Sequence, residues 1–384
     1  MKRLISIFAA FAAVSFGVRS LCAASAEKPD VSAKAAVLIS ADTGEVIYSL
    51  NCNEKLPMAS TTKIMTTLLC LESGGLYDEF VVDSDAIKVE GSSMGLCEGD
   101  IVTKYALCCG MLLPSGNDAA NAAAVRIAGS TEAFAELMNE RAREMGLTKT
   151  FFVTPSGLEG EGHGSSAYEM AVLAREALGN EMFRSICSQQ SIKLEFGAPP
   201  YERWLKNTNK LLSMYDGVYG VKTGFTDEAG RCLVSACERG GKDLICVTLN
   251  DRNDWNDHIA MYDYGFDTVR RLDVQLPAEL SVDIVGSSSD KLPLIAEKPV
   301  FPVTSLTGSE DDITYTLLSP PFVYAPVHKG DIAAELRVSF MGREVGTIPL
   351  YAAEDMEASA EMPKKPKKGT FAKLKEKLGS MFSR

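Results

Sequence analysis

The sequence lacks the residue patterns that hold metal ions. It has only three histidines, at positions 163, 258 and 328, and none of its ten cysteines forms a C-x-x-C pair. Zinc sites use closely spaced Cys and His ligands, so this spacing argues against one. Most of the cysteines lie in apolar runs, where a free thiol behaves as a small hydrophobic side chain. We therefore expect buried free thiols, no metal site and no cofactor.

Excess positive charge is also missing from most of the chain. The formal net charge of the 384 residues is −12, which argues against a general nucleic-acid binder. Residues 363–384 are an exception, because they carry eight Lys or Arg and one Glu. That segment has a net charge of +7 and the remainder −19, so a basic segment follows an acidic body.

The apolar run at the N-terminus, Leu4 to Val18, is shorter than a membrane-spanning helix needs. Lys2 and Arg3 precede it, and the small residues of 24–26, Ala-Ser-Ala, follow it. A positive start, an apolar run and an A-x-A site are typical of a signal peptide. We predict that residues 1–26 are cleaved and the protein is exported; the alternative is an anchor that stays attached.

The periodicity of the chain predicts an α+β fold. Strand patterns form a hairpin over 35–51 and return at 217–223, 231–237 and 243–250. Helical patterns cover 60–72, 104–113, 118–128, 131–145, 168–178 and 255–270. Adjacent hairpins among helices favour an antiparallel sheet flanked by helical layers.

The pattern changes after about residue 271. Short alternating segments up to residue 352 predict a small all-β domain. The predicted organisation is a signal peptide (1–26), a first domain (27–271), a β-rich domain (272–353), and a linker with a basic helix (354–384).

The basic helix is predicted from residues Phe371, Leu374, Leu378 and Met381, which recur at helical spacing with lysines between them. A short basic amphipathic helix is typical of attachment to a membrane surface. We expect peripheral association with the outer face of the cytoplasmic membrane. The alternative is that this basic segment contacts anionic wall polymers.

Ser60 and Lys63 lie at the start of an otherwise apolar helical pattern, "MASTTKIMTTLLC". Residues at i and i+3 share a helix face, so the hydroxyl and the amine can meet. Burial lowers the pKa of a lysine, and the neutral amine can then remove the proton of a serine nucleophile. The alternative is a serine cap followed by a lysine on the solvent face.

Two further motifs follow in order along the chain. Ser115-Gly116-Asn117 lies at a break between two apolar helical patterns, and Lys222-Thr223-Gly224 ends a predicted strand. A second hydroxyl can relay a proton, and an asparagine amide can bind a peptide group. Lys and Thr can bind a carboxylate, and Gly lets a substrate lie against the strand. Alone, each motif has a structural explanation, but S-x-x-K, S-x-N and K-T-G together characterise penicillin-recognising serine enzymes.

The residues around these motifs strengthen the assignment. The strings "ASTTKIMT", "MLLPSGNDAANA" and "NTNKLLSMYDGVYGVKTGFTDEAGRCLVSA" resemble low-molecular-weight penicillin-binding proteins of the D-alanyl-D-alanine carboxypeptidase family. The resemblance covers residues 33–270, and "PVHKGDIAAELRV" resembles that family's C-terminal β domain. It implies a DD-peptidase-like catalytic domain that acts on peptidoglycan stem peptides and is acylated by β-lactams.

The resemblance also implies a role for each motif residue. Ser60 is the nucleophile, Lys63 its base and Ser115 a proton relay. The substrate is held by Asn117, Lys222, Thr223 and Gly224, and the backbone N–H groups of Ser60 and Phe225 form the oxyanion hole. His163 is assigned to ordering the 155–167 loop.

Two positions depart from the pattern of the family. Phe225 stands where some relatives carry His, which leaves a backbone role intact. Relatives often carry an Arg near the substrate carboxylate, but Arg252 is left out of the predicted site.

Three other functions remain alternatives. A β-lactamase needs a carboxylate for deacylation, typically in E-x-x-L-N, and residues 118–221 contain no such string. A DD-endopeptidase that cuts cross-links would use the same residues. A non-catalytic wall-binding protein would not need Ser60, Lys63, Ser115 and Lys222 intact.

Overall fold

The structure, a computed structural model, describes residues 27–359. The predicted signal peptide and the predicted basic helix lie outside the described residues. Between 27 and 359 no helix is long and apolar enough to cross a membrane. The helices of this range are α1 Lys63–Glu72, α2 Lys104–Leu112, α3 Asn117–Ala128, α4 Thr131–Glu144, α5 Ala167–Leu178, α6 Glu181–Cys187, α7 Leu211–Met214 and α8 Asp254–Thr268.

The strands alternate with these helices and then continue without them. Up to the end of α8, the part of the chain that the resemblance predicts to be catalytic (the catalytic part), they are β1 Ala35–Ser40, β2 Val46–Leu50, β3 Glu79–Val81, β4 Ile101–Thr103, β5 Ser191–Gly197, β6 Pro200–Lys206, β7 Val218–Thr226, β8 Gly230–Arg239 and β9 Lys242–Leu249. After α8 they are β10 Arg270–Gln275, β11 Leu280–Val285, β12 Lys291–Ala296, β13 Val300–Ser305, β14 Ile313–Leu318, β15 Val323–Tyr324, β16 Ile332–Phe340 and β17 Arg343–Ala352.

The main sheet is antiparallel, with the strand order β2-β1-β9-β8-β7. All six residues of β1 are buried, because α5 packs on β1 and β9 from one side and α8 from the other. A strand covered on both faces is apolar throughout, as β1 is. The predicted α+β fold is confirmed, and β7 lies at the edge of this sheet.

Helix α1 lies at the centre of the helical layer. Its residues Ile64, Met65, Leu68 and Cys70 are buried against α2, α3 and α5. Such burial makes the start of α1 a rigid position for a functional side chain, because the helix has packed neighbours on all sides.

The β-rich part contains a six-stranded sheet in the order β14-β16-β17-β12-β11-β15 and the pair β10-β13. Hydrogen bonds from the turn between β1 and β2 hold the β-rich part against the catalytic part. The Asp42 carboxylate accepts the Thr304 N–H at 2.8 Å, and Glu45 accepts the Ser305 hydroxyl at 2.9 Å and the Leu306 N–H at 2.8 Å.

Two predicted boundaries were wrong, and some elements were not predicted. Ser60 lies in a 3-10 turn, Ala59–Thr62, and α1 begins only at Lys63, because the hydroxyls of Thr61 and Thr62 bond to carbonyls three residues back. The segment Lys222–Gly224 lies inside β7 instead of ending it, since β8 continues the pairing to Thr226. Helix α6 and the β5–β6 hairpin were not predicted.

All nine cysteines in the described range are free, and seven of them are buried. The prediction of buried free thiols is therefore confirmed for these seven. Cys52 is partly exposed and Cys97 is exposed.

Candidate active site

The turn that carries Ser60 is tightly constrained. Ala59 has a φ of +48°, in the left-handed region that side chains disfavour. The Thr61 hydroxyl donates to the Met58 carbonyl at 2.6 Å, and the Thr62 hydroxyl to the Ala59 carbonyl at 2.8 Å. In a 3-10 turn residues i and i+3 are eclipsed, so Ser60 and Lys63 share one side.

Lys63 is fully buried and has three polar partners. Its Nζ lies 2.9 Å from Ser60 Oγ, 2.7 Å from Asn117 Oδ1 and 2.6 Å from the Ser156 carbonyl oxygen. Burial lowers the pKa of Lys63 well below 10.5, the nearby Lys222 lowers this pKa further, and Asp118 opposes the shift.

The contacts of Lys63 match those of a neutral amine. Asn117 Oδ1 and the Ser156 carbonyl can only accept, so they take the two N–H groups. When Lys63 is neutral, its lone pair can accept the Ser60 hydroxyl hydrogen across the 2.9 Å contact between Nζ and Oγ. This geometry is suited to removing the proton of Ser60.

Ser115 and Asn117 lie at the start of α3, on the same side of the cavity as Lys63. Ser115 has a φ of +67°, a strained conformation of the kind that clusters at functional sites. The Asn117 amide bridges Lys63 and the Glu90 carbonyl, to which Nδ2 donates at 2.7 Å. One amide hydrogen of Asn117 is left for a further acceptor.

Strand β7 forms the opposite wall. Lys222 is buried, and burial lowers its pKa to about 7; its Nζ donates to the Thr223 carbonyl at 2.7 Å. A Cβ on Gly224 would lie 3.0 Å from the Ser60 nitrogen, so the strand passes directly against the Ser60 turn. Phe225 follows, with 64% of its surface exposed.

A cavity of about 520 Å³ lies between these walls. It is lined by Ser60, Ser115, Thr223, Gly224 and Phe225, with Lys63, Asn117 and Lys222 buried directly behind it. The structure therefore brings the eight predicted residues together. A larger cavity of about 810 Å³ beside α5, α6 and β17 contains none of them.

Arg231 also lines this cavity and was not predicted. It lies opposite Phe225 in the β7–β8 register, its Nη2 contacts both Asp254 oxygens at 2.8 and 2.9 Å, and its guanidinium lies over Trp255. The sequence contained a signal for the position of Arg231. The short turn 227–229 pairs residue 226 with residue 230, and it therefore places residue 231 opposite residue 225. Arg252 is exposed and does not line the cavity.

Asp118 was missed as well. This buried carboxylate accepts the Ser93 hydroxyl at 2.6 Å and the N–H groups of Met94 and Leu96 at 2.9 and 3.0 Å. It thereby anchors the 92–97 loop beside Ser115, and the adjacent Ser92 lines the cavity.

His163, which was predicted to order the 155–167 loop, connects Val153 to the Ser60 turn. Its Nδ1 accepts the Val153 N–H at 2.9 Å, which leaves the hydrogen on Nε2 to donate to Thr62 Oγ1 at 2.9 Å. Burial, with a contribution from Lys55, lowers the pKa of His163 to about 4, so the ring is neutral at pH 7.

Comparisons with known proteins agree with this geometry. A family model described as D-alanyl-D-alanine carboxypeptidase matches residues 22–253, and one described as the C-terminal domain of penicillin-binding protein 5 matches residues 278–358. The D-alanyl-D-alanine carboxypeptidase DacF of Bacillus subtilis is 34% identical over 337 residues, 85% of this chain and 86% of DacF. DacC of Escherichia coli is 32% identical over 352 residues, 86% of each chain.

Solved structures show the same fold. The DD-transpeptidase of Streptomyces K15 is 31% identical, with a TM-score of 0.60 over 62% of this chain and 99% of its own. The carboxypeptidase DacD of Francisella tularensis, 23% identical, has a TM-score of 0.61 over 87% of this chain and 96% of its own, which includes the β-rich part. The chain belongs to the D-alanyl-D-alanine carboxypeptidase family of penicillin-binding serine peptidases.

Proposed function

We propose that this protein is a serine D-alanyl-D-alanine carboxypeptidase that removes the terminal D-alanine from peptidoglycan stem pentapeptides. One observation carries the proposal: a buried, deprotonatable Lys63 contacts Ser60 at 2.9 Å in a cavity bounded by an edge strand. An edge strand offers free backbone groups, so an extended peptide can pair with β7.

Acylation begins with transfer of the Ser60 proton to Lys63 Nζ. Ser60 Oγ then attacks the carbonyl carbon of the D-Ala-D-Ala bond, and the backbone N–H groups of Ser60 and Phe225 stabilise the oxyanion. A donor in such a hole contributes about 3–4 kcal/mol. The constrained Ser60 turn favours this step, because the nucleophile does not have to be reoriented.

The tetrahedral intermediate collapses when the leaving nitrogen gains a proton. Ser115 relays it, and Lys63 supplies the proton taken from Ser60. The C–N bond breaks, D-alanine leaves, and an ester remains on Ser60. Water then attacks the ester carbonyl and gives a proton to Lys63. The bond between the carbonyl carbon and Ser60 Oγ breaks, Lys63 returns the proton to Oγ, and the shortened peptide leaves with a new terminal carboxyl group.

The substrate carboxylate is bound by Lys222 and Thr223, with Arg231 as an additional donor. Arg231 is held by Asp254 through one nitrogen, so its other N–H groups can face the cavity. A positively charged group beside a carboxylate gives a strong, oriented hydrogen bond. Asn117 holds Lys63 in place and uses its second amide hydrogen for the peptide.

The same site is proposed to react with β-lactams, whose ring carbonyl replaces the scissile amide. We also propose that residues 1–26 direct export and that residues 354–384 attach the protein to the outer face of the cytoplasmic membrane. The support is the sequence pattern of each segment.

Defined pentapeptide muropeptides and a fluorescent penicillin test the proposal. We expect loss of one alanine, stoichiometric labelling, and no labelling of Ser60→Ala. Cleavage of cross-linked dimers without loss of alanine would assign the protein as an endopeptidase. An unlabelled wild-type protein, or a labelled Ser60→Ala variant, would contradict the assigned nucleophile.

A further inference from the structure

An uncharged segment runs through the two edge strands of the β-rich part. Residues 313–327 contain no charged side chain, although residues 278–358 as a whole carry thirteen acidic and five basic residues. In its middle, Phe322 is 42% and Tyr324 69% exposed, and their rings meet edge to face at 5.2 Å. A contiguous exposed apolar patch can mark a contact surface, whereas single exposed apolar residues are common.

The segment contains both edge strands of the six-stranded sheet, β14 and β15, and the exposed aromatic residues lie at the β15 edge. Strand β15 pairs only with β11, in parallel, and places Tyr324 opposite Val285, which is 46% exposed. The Ala325 N–H bonds to the Val285 carbonyl at 3.0 Å and fixes this arrangement. We call Val285, Phe322 and Tyr324 the aromatic edge.

The described part of the chain stops beside the aromatic edge. The Ser359 N–H donates to the carbonyl of Gly286, the neighbour of Val285, at 2.7 Å. The first lysine of the basic segment is Lys364, five residues later. Five residues span at most about 18 Å, which limits how far Lys364 can lie from Ser359.

We propose that the aromatic edge inserts into the interfacial layer of an anionic lipid membrane, as a second contact beside the basic segment. This inference rests on the proposed membrane attachment of residues 354–384. Aromatic side chains favour the lipid–water interface, and an uncharged segment brings no ionised group out of water.

Two membrane contacts in one chain have a consequence that a single anchor lacks. A short amphipathic segment binds weakly by itself, and a second tethered contact multiplies its partitioning. The aromatic edge would also fix how the β-rich part stands on the membrane, because β15 is built into the sheet.

Vesicle flotation of the chain from residue 27 onward tests this inference. The vesicles contain phosphatidylglycerol and phosphatidylcholine, and the buffer contains 0.5 M salt, roughly, so that electrostatic attraction is screened. The Phe322→Ser/Tyr324→Ser variant should partition about five- to tenfold more weakly than wild type. Tyr77→Ser, at a 64% exposed tyrosine of the catalytic part, is the matched control and should bind like wild type.

The outcomes separate the two proposals. Equal partitioning of the double variant would overturn the aromatic edge and leave the basic segment as the anchor. A wild-type chain that floats neither in this buffer nor at low salt would overturn both forms of attachment. Fluorescent penicillin labelling of every variant reports folding and the enzyme assignment independently.

A second measurement reports insertion directly. Brominated lipids should quench the tryptophan fluorescence of the Tyr324→Trp variant more than that of wild type. The two native tryptophans of wild type both lie in the catalytic part. Absence of added quenching would overturn the proposal. Self-association lost in the Phe322→Ser/Tyr324→Ser variant would overturn it too, by assigning this surface to a second copy.

Discussion

Replacing Lys63 with arginine tests the proposed base. Arginine keeps a positive charge at every accessible pH, whereas the proposed mechanism needs a neutral nitrogen with a free lone pair. Loss of a general base slows a reaction by about 10²–10⁴-fold, or about 3–5 kcal/mol. The Lys63→Arg variant should therefore be acylated about 10²–10⁴-fold more slowly than wild type, although arginine can carry the same positive charge as a protonated lysine.

Stability must be measured beside activity, because Lys63 is fully enclosed. The larger guanidinium should destabilise the protein by about 1–3 kcal/mol through overpacking. Lys63→Met is the complementary variant, since it fits the space but leaves Asn117 Oδ1 and the Ser156 carbonyl without their donor. Each unpaired acceptor should cost about 1–3 kcal/mol.

The assay is the single-turnover rate of acylation by a fluorescent penicillin, with the thermal midpoint recorded for each variant. Both variants should remain folded at 20 °C, roughly, and react at least about 100-fold more slowly. If folded Lys63→Arg acylated within tenfold of wild type, the proton would have to go elsewhere and the reasoning would fail.

Three further predictions concern other parts of the structure. Gly224→Ala should slow acylation at least about tenfold with a smaller effect on stability, because its Cβ would lie 3.0 Å from the Ser60 nitrogen; normal kinetics would contradict this close approach. Arg231→Gln should raise KM for the peptide about 10- to 100-fold with less change in kcat, whereas Arg252→Gln, the exposed control, should not; equal effects would remove Arg231 from the site. Burial raises the pKa of Asp243 from 3.8 to about 7, so the folded state binds this proton more tightly and stability should fall as the pH rises from about 4 to 7. In denaturant unfolding, the free energy of unfolding of Asp243→Asn should fall by about 2–4 kcal/mol less than that of wild type over this pH range. An unchanged pH profile would refute the raised pKa of Asp243.

Much of the candidate site could be predicted from the sequence because its chemistry is local. Ser60 and Lys63 are three residues apart, so any helical turn brings them together. Apolar neighbours on α1 predicted the burial that lowers the pKa of Lys63. The order of the three motifs supplied the rest, through the resemblance to a known family.

Other features depended on contacts that no local pattern contains. Arg231 enters the cavity through strand register, and Asp118 matters because a loop twenty residues upstream wraps around it. The hairpin β5–β6 alternates apolar and charged residues in its first strand, but the Ala-Pro-Pro at 198–200 obscured the turn. The 3-10 form of the Ser60 turn came from threonine hydroxyls that compete with helical bonding.

The turn between β1 and β2 has a mechanical consequence. Its Asp42 and Glu45 hold the β-rich part, and β1 is an interior strand with six paired rungs to β9. A force on the β-rich part that acts parallel to β1 would load the six residue pairs between β1 and β9 simultaneously, in shear, instead of separating them one after another. Tension from an attached surface would thus reach the catalytic part through this turn and through the covalent link from α8 into β10, and neither connection passes through the edge strand β7.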